Sequence, residues 1–249
     1  MRKFGLIGYP LGHSFSQKYF TEKFLQEEID DASYELFPLE NIDDVRLLFE
    51  INKELIGLNV TIPYKETIIE YLDELDDNAK EIGAVNCIKI NDPEFLREKK
   101  GYNTDCIAFS DSLQPLLKSH HKKALILGTG GSSKAVAYAL KELGIDYLCV
   151  SRIKNKSQIE YSDLDKHIIS ENTIIINCTP VGMYPQIQMY PQIPFEYLTP
   201  EHLCFDLVYN PEETLFLQKS KQQGATTKNG LEMLYKQAEY AWRIWNANL

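Results

Sequence analysis

Apolar and polar positions follow two alternating periods through the first hundred residues, and the pattern restarts after residue 105. Short apolar runs at Phe4–Gly8, Tyr34–Pro38 and Leu55–Val60 read as strands. Between the first two, Gln17 to Ile29 places Tyr19, Phe20, Phe24, Leu25 and Ile29 at helical spacing. Ile42–Asn52 does the same through Val45, Leu48, Phe49 and Ile51. Tyr9 to Ser14 is a turn-rich loop, and Pro63 stands where proline commonly opens a helix. Strands alternating with helices predict a mostly parallel sheet.

The second stretch begins with a helix over Phe109–Leu117 and a polar linker, His120 to Lys123. Ala124–Leu127 is a short, wholly apolar run of the kind buried on both faces of a sheet. It leads into Gly128-Thr129-Gly130-Gly131-Ser132-Ser133 and a helix over Ala135–Leu143 that Gly144 ends. Tyr147–Val150, Thr173–Asn177 and Leu203–Val208 read as further strands, and Leu231–Trp245 as an amphipathic helix. Trp242 and Trp245 would pack that helix onto the first domain. The acidic run Asp73–Asp77 reads as a solvated helix end. The chain is thus α/β in two domains, an N-terminal α/β domain with a mostly parallel sheet and a Rossmann-like domain.

Composition narrows the function classes. A length of 249 residues exceeds the common single-domain size, which fits two domains. The net charge of −10 argues against a nucleic-acid or anionic-membrane partner, since both usually need a basic face. The five cysteines are scattered and never paired as C-x-x-C, and the histidines show no metal-ligand spacing, so no metal is expected. With no apolar leader and no membrane-length window, the chain reads as a cytoplasmic protein, monomer or homodimer, acting on a small molecule.

Two segments fit neither core nor ordinary loop. Asn59-Val60-Thr61-Ile62-Pro63-Tyr64-Lys65 sets an amide, a hydroxyl and a lysine beside a proline. Gly101-Tyr102-Asn103-Thr104-Asp105 offers an acid after a glycine-opened turn. Together they supply a cation, an anion and neutral donors, which suits proton transfer to a small polyhydroxylated molecule. If Pro63 starts a helix, Lys65 lies in its first turn, where the helix dipole disfavours a cation and makes the ammonium a readier proton donor. Asp105 is the candidate compensating acid. Alone, Lys65 would be a surface lysine; beside Asn59, Thr61 and Asp105 it reads as catalytic.

The strand, glycine turn and helix at Ala124–Leu143 form the clearest cofactor signal. Glycines let backbone amides approach a pyrophosphate, and the helix turns its positive end to that charge. The flanking strand and helix favour this reading over a tight βα turn without a ligand. NAD enzymes usually carry an acid at the end of the next strand, to hold the ribose hydroxyls. This chain has Ser151-Arg152-Ile153-Lys154-Asn155-Lys156, whose cations would attract a 2′-phosphate, so NADP is favoured over NAD; the alternative is a solvated basic loop.

The chain resembles shikimate dehydrogenase over nearly its whole length. The resemblance rests on Leu11-Gly12-His13-Ser14-Phe15-Ser16, the Asn59–Lys65 block, Ile82-Gly83-Ala84-Val85-Asn86, the Gly101–Asp105 block and Gly128–Ser133. Further blocks are Asn177-Cys178-Thr179-Pro180-Val181-Gly182-Met183, Asp206-Leu207-Val208-Tyr209-Asn210-Pro211 and Asn229-Gly230-Leu231-Glu232-Met233-Leu234 with Gln237. It implies NADPH-linked, reversible reduction of 3-dehydroshikimate to shikimate, a step toward aromatic amino acids. It further implies that Ser14 and Ser16 bind the substrate carboxylate and that Asn59, Thr61, Asn86, Asp105 and Gln237 hold the ring hydroxyls. Tyr209 would join them at the cleft. Lys65 would pass the proton, with Asp105 orienting it. For NADP it implies Gly128, Gly130, Gly131, Ser132 and Ser133 at the phosphates. Ser151, Arg152 and Lys156 would meet the adenosine phosphate, and Thr179, Met183 and Gly230 the nicotinamide.

The implied boundaries are 1–104 with 230–249 for the substrate domain and 105–229 for the NADP domain. Gln17, Cys87 and Ala108 depart from the family's usual proline, threonine and glycine, and none removes a reacting group. His13 reads as structural in its loop. The segment Tyr184–Phe195, with three prolines, is expected to form a flap over the cofactor. Quinate or NAD use, and a non-catalytic dinucleotide or ligand sensor on the same scaffold, are the alternative functions.

Overall fold

The structure is a computed structural model that describes residues 1–12, 14–91, 97–153 and 158–247. By backbone proximity the chain divides into Met1–Thr104 with Ala238–Leu249, and Asp105–Gln237. The first unit holds β1 (Arg2–Gly8), α1 (Phe15–Gln26), β2 (Ala32–Pro38), α2 (Val45–Ile51) and β3 (Leu55–Val60). It continues through β4 (Glu74–Leu75), α3 (Asp77–Ile82), β5 (Cys87–Asn91) and β6 (Glu98–Tyr102). The division then falls in α4 (Thr104–Leu113).

The six strands of this unit order as β2-β1-β3-β5-β6-β4. β1 runs parallel to β2 and β3, and β4 parallel to β6, whereas β5 is antiparallel to both neighbours. The sheet is therefore mixed. Successive side chains leave opposite faces, so the apolar runs feed two cores. Ile7, Leu58, Val60 and Ile88 meet Val45, Leu48 and Ile68 on one side. Phe4 and Leu6 meet Phe20, Phe24 and Trp245 on the other. Trp245 stacks on Phe4 at 4.8 Å between centroids, and its indole N–H donates to the Ile88 carbonyl at 2.9 Å, which fixes the end of the chain on this sheet.

The second unit comprises β7 (Lys123–Leu127), α5 (Gly131–Glu142), β8 (Asp146–Ser151), β9 (Gln158–Glu160), α6 (Lys166–Glu171), β10 (Ile174–Asn177), β11 (Leu203–Asp206), α7 (Leu215–Gln222) and β12 (Thr226–Lys228). α8 (Leu231–Asn246) starts in this unit and ends in the first. All its strand pairings are parallel, in the order β12-β11-β10-β7-β8-β9. The chain leaves β7 for β8 on one side and later returns to β10 on the other. That places a topological switch point between β7 and β10, where doubly wound sheets bind ligands. Among the described residues, no helix is long and apolar enough to cross a membrane.

Several expectations are corrected. No α-helix opens at Pro63: residues 62–66 form turns and a 3-10 helix spans Thr67–Tyr71. Tyr64 N bonds Thr61 O, and Ile69 N bonds Glu66 O, an i→i−3 pattern that suits the β-branched run Thr67-Ile68-Ile69 better than an α-helix. Gly101 opens no turn but lies within β6, where a Cβ would come within 2.8 Å of Leu72, Leu75 and Val85. The acidic run is a helix end only at Asp76 and Asp77, where α3 begins. Glu74-Leu75 is a strand paired with Lys100-Gly101, Asp73 and Glu74 meet Lys99 and Lys100, and Asp76 caps α3.

Two connecting segments also differ from their expectations. His120–Lys123 is more than a linker, because His121 is buried and bonded at both ring nitrogens. Tyr184–Phe195 is exposed over Tyr184–Met189 and anchored over its second half. Ile193 is buried, Tyr190 and Phe195 pack on the core of the unit, and the Lys219 ammonium sits 4.5 Å over the Tyr190 ring.

Candidate functional site

In the first unit the sequence blocks meet at one edge of the sheet, beyond the C-terminal ends of β1, β3 and β6. Asn59 and Cys87 are register partners, so Asn86 lies beside the end of β3. The backbone ties the blocks together: Val60 N donates to Asn86 O at 2.8 Å, Val85 N to Lys65 O at 2.7 Å and Thr61 N to Ile7 O at 2.9 Å. The loop that carries Lys65 is pinned further by the Tyr64 hydroxyl, which donates to Leu39 O at 2.5 Å.

The amides here are oriented. Asn59 Oδ1 accepts from the Tyr34 hydroxyl at 2.8 Å and Asn59 Nδ2 donates to Asn86 O at 3.4 Å, both buried. Asn86 Oδ1 accepts from Thr104 N at 2.7 Å, while Asn86 Nδ2 lies 2.9 Å from Thr104 Oγ1. Tyr34 and Thr104 were not among the sequence candidates. Tyr34 reads as a core aromatic of a strand, whereas Thr104 could have been suspected from its place beside Asp105. Burial holds the Tyr34 phenol well above its ordinary value, opposed by the Ser16 hydroxyl.

Ser14 caps α1 by accepting from Gln17 N at 3.4 Å, and Ser16 is buried in its first turn. α1 is held by Lys23, whose ammonium lies 2.7 Å from Glu27 and 2.8 Å from Glu239 of α8. Thr61 and Lys65 are half-buried. His13 falls outside the described residues.

Asp105 and Gln237 belong to the second unit. Asp105 is buried in the first turn of α4, where the dipole favours a carboxylate. Gln237 is buried in α8, and its Nε2 donates to Leu234 O at 3.0 Å.

The glycine turn follows β7. Gly128 has φ +110°, a conformation L side chains rarely adopt, and a Cβ there would stand 3.0 Å from Thr179 Cγ2. Gly130 stands at the N-terminus of α5 with no side-chain cap bond, and Ser133 N and Lys134 N donate to its carbonyl at 2.9 and 3.2 Å. Among the described residues, nothing beyond its chain neighbours lies within 4 Å of where a Gly130 Cβ would be. An uncapped helix start beside open space fits a dinucleotide phosphate. Ser133, in place of a third glycine, is buried and donates to Gly130 O at 2.7 Å. Gly131 and Ser132 stand in the same first turn.

The remaining cofactor candidates surround this turn. Gly128 N donates to Val150 O at 2.9 Å, which sets the turn beside Ser151 and the exposed Arg152. Lys154 and Lys156 lie outside the described residues. Gly230 N donates to Val208 O at 3.2 Å, next to Tyr209, whose phenol burial pushes up. Met183 is exposed, with its N–H on Pro180 O at 3.1 Å.

Asp206, at the end of β11, has no solvent exposure and is pushed up to about 6 by burial, against the pull of bonds from Thr214, Val208 and Asn177. It was not among the sequence candidates, although it heads one of the quoted blocks.

A family model described as the shikimate dehydrogenase substrate binding domain matches residues 6–88. The shikimate dehydrogenase (NADP(+)) of Methanosphaera stadtmanae is 37% identical over 260 residues, covering 97% of this chain and 90% of that protein. A solved shikimate dehydrogenase in complex with NADP+ superposes with a TM-score of 0.87 at 34% identity, covering 98% of this chain and 90% of that one. The Thermus thermophilus enzyme in complex with NADP(H) and shikimate gives a TM-score of 0.84 at 28% identity, covering 100% and 95%. With this likeness along nearly the whole chain, this protein belongs to the shikimate dehydrogenase family.

Proposed function

We propose that the chain catalyses the NADP-linked, reversible interconversion of 3-dehydroshikimate and shikimate. The observation that carries this reading is the convergence of Asn59, Asn86 and the Lys65 loop at one end of the first sheet. Site amides whose oxygens accept from Tyr34 and Thr104 and whose nitrogens donate to Asn86 O and Thr104 Oγ1 are fixed in orientation, and an analogue with differently placed hydroxyls would fit them less well. Ser14 and Ser16 hold the substrate carboxylate; Thr61, Tyr209 and Gln237 complete the substrate set.

NADPH, when bound, supplies the hydride to the carbonyl carbon. The Lys65 ammonium donates its proton to the carbonyl oxygen and recovers one in the oxidative direction, and Asp105 orients that ammonium and a ring hydroxyl. Gly128, Gly130, Gly131, Ser132 and Ser133 receive the phosphates. Ser151, Arg152 and Lys156 take the 2′-phosphate, and Thr179, Met183 and Gly230 flank the nicotinamide. Five cysteines free of disulfides suit a reducing, cytoplasmic setting. Calorimetric titration tests the substrate side. Asn59→Ala and Asn86→Ala should weaken shikimate by about tenfold or more while NADP binding stays the same. Unchanged shikimate affinity would remove the assignment.

A further inference from the structure

We propose that Asp206 is a positioning residue for the cofactor end of the second unit, fixing Thr179 through the Asn177 amide and the Tyr209 loop through the Val208 backbone. The proposal rests on the assignment of Thr179 to the nicotinamide made above.

Asp206 receives three neutral donors and is fully buried. Asn177 Nδ2 reaches Oδ1 at 2.9 Å, Val208 N the same oxygen at 3.0 Å, and the Thr214 hydroxyl Oδ2 at 2.5 Å. A carboxylate surrounded by neutral donors is an expensive way to stabilise a fold, and burial penalises its charged form here. What the carboxylate supplies is direction.

Asn177 shows why direction matters. Its Oδ1 accepts twice from Thr179, from N at 3.0 Å and from Oγ1 at 2.6 Å. Flipping the amide would set its NH₂ group against the Thr179 N–H. The amino side must therefore face acceptors, and these are Asp206 Oδ1 at 2.9 Å and, at the longer distance of 3.4 Å, Val181 O. With Thr179 Oγ1 held by Asn177 and accepting from Val181 N at 3.3 Å, the threonine rotamer is fixed and its methyl faces the Gly128 turn.

The second arm runs through the backbone. Leu207 N donates to Asn177 O at 3.0 Å, and Val208 lies between Asp206 Oδ1 and the N–H of Gly230. Two neighbouring strand ends, β10 and β11, are thus held in one arrangement by one carboxylate. Thr214 also caps α7 through Leu217 N, which ties the carboxylate to a helix start.

The test compares steady-state constants and thermal midpoints for Asp206→Ala, Asp206→Asn, Asn177→Ala and Thr179→Val. Asn177→Ala, which cuts the Thr179 arm, should raise KM for NADP about tenfold with KM for shikimate within about twofold of wild type, and Asp206→Ala should raise KM for NADP as much and KM for shikimate by a smaller factor through the Tyr209 loop. The double variant should raise KM for NADP no further than Asp206→Ala alone, because the Asn177 connection is already cut there. Asp206→Asn, which keeps one oxygen for Asn177 and Val208, should restore KM for NADP to within about twofold of wild type. If Asp206→Ala does not fold, Asn177→Ala carries the test.

Failure of the proposal is separable from failure of the site assignment. If Thr179→Val raises KM for NADP while Asp206→Ala and Asn177→Ala do not, the cofactor site stands and the positioning role is overturned. If Thr179→Val also has no effect, the cofactor assignment of Thr179 falls and takes the proposal with it. Equal rises in both KM values with a lowered thermal midpoint would mark a purely structural role and overturn it too.

Discussion

The two units solve their recognition problems with different parts of the chain. At the strand ends of the first, the polar groups are side chains oriented by other side chains: Tyr34 sets Asn59, and Thr104 sets Asn86. At the strand ends of the second, the proposed phosphate site relies mainly on backbone, a glycine at positive φ and a helix start with no side-chain cap. Shikimate differs from its analogues in the placement of hydroxyls, which demands individually aimed donors and acceptors. A pyrophosphate is a diffuse charge that converging amides satisfy. The exception in the second unit is Asp206, where side chains again impose geometry, and it stands next to the residues assigned to the nicotinamide rather than to the phosphates.

The largest effect expected from breaking this contrast lies at Lys65. Lys65→Ala should lower turnover by about 10²–10⁴-fold with the thermal midpoint unchanged. Near-normal turnover in stopped assays would remove the lysine from proton transfer.

Next in size is a pH effect at Asp206. Its carboxyl in the fold, at about 6, binds a proton more tightly than in the unfolded chain. The native state therefore holds more protons between about pH 4 and 6, and stability from this group falls as pH rises through that window. Asp206→Asn removes the dependence. In urea unfolding, the variant should gain on the order of 3 kcal/mol relative to wild type between pH 4 and pH 7. A constant difference across that range would contradict the buried-carboxylate assignment.

A smaller effect separates the cofactors. Arg152→Ala should raise KM for NADP about tenfold and leave KM for NAD nearly unchanged, since a guanidinium pairs with the 2′-phosphate and not with a ribose hydroxyl. Equal changes would assign Arg152 to the shared part of the dinucleotide. The smallest concerns the return of the chain to the first sheet. Trp245→Phe keeps an aromatic ring but loses the bond to Ile88 O, so thermal unfolding should show a loss of about 1–2 kcal/mol with both KM values unchanged.

Much of the second unit was legible because its signals are local. The wholly apolar run of β7, the glycine turn and α5 follow one another directly, and each has a short-range cause. The first unit was harder to read beyond β3. β6 carries Glu98-Lys99-Lys100, with no apolar alternation, and is held instead by Asp73 and Glu74 of the segment alongside it. Charges paired across neighbouring strands look like two solvated stretches when read along the chain.

The structure does not supply one of the reasons for singling out Lys65. Proline at a helix start was the expectation, and 3-10 turns followed by a β-branched run replaced it. The lysine's importance rested on its neighbours and on the family pattern instead. Asp206 and Asn177 are 29 residues apart, and nothing in either local sequence announces their bond. Networks assembled by topology rather than by periodicity are what sequence patterns fail to reveal.

The most direct test is a spectrophotometric assay of the purified chain, following NADPH or NADH formation with shikimate or quinate as the donor. Shikimate with NADP should give the highest kcat/KM of the four combinations. Absence of turnover with shikimate and NADP, or a higher kcat/KM with quinate or NAD, would contradict the function proposed for this protein.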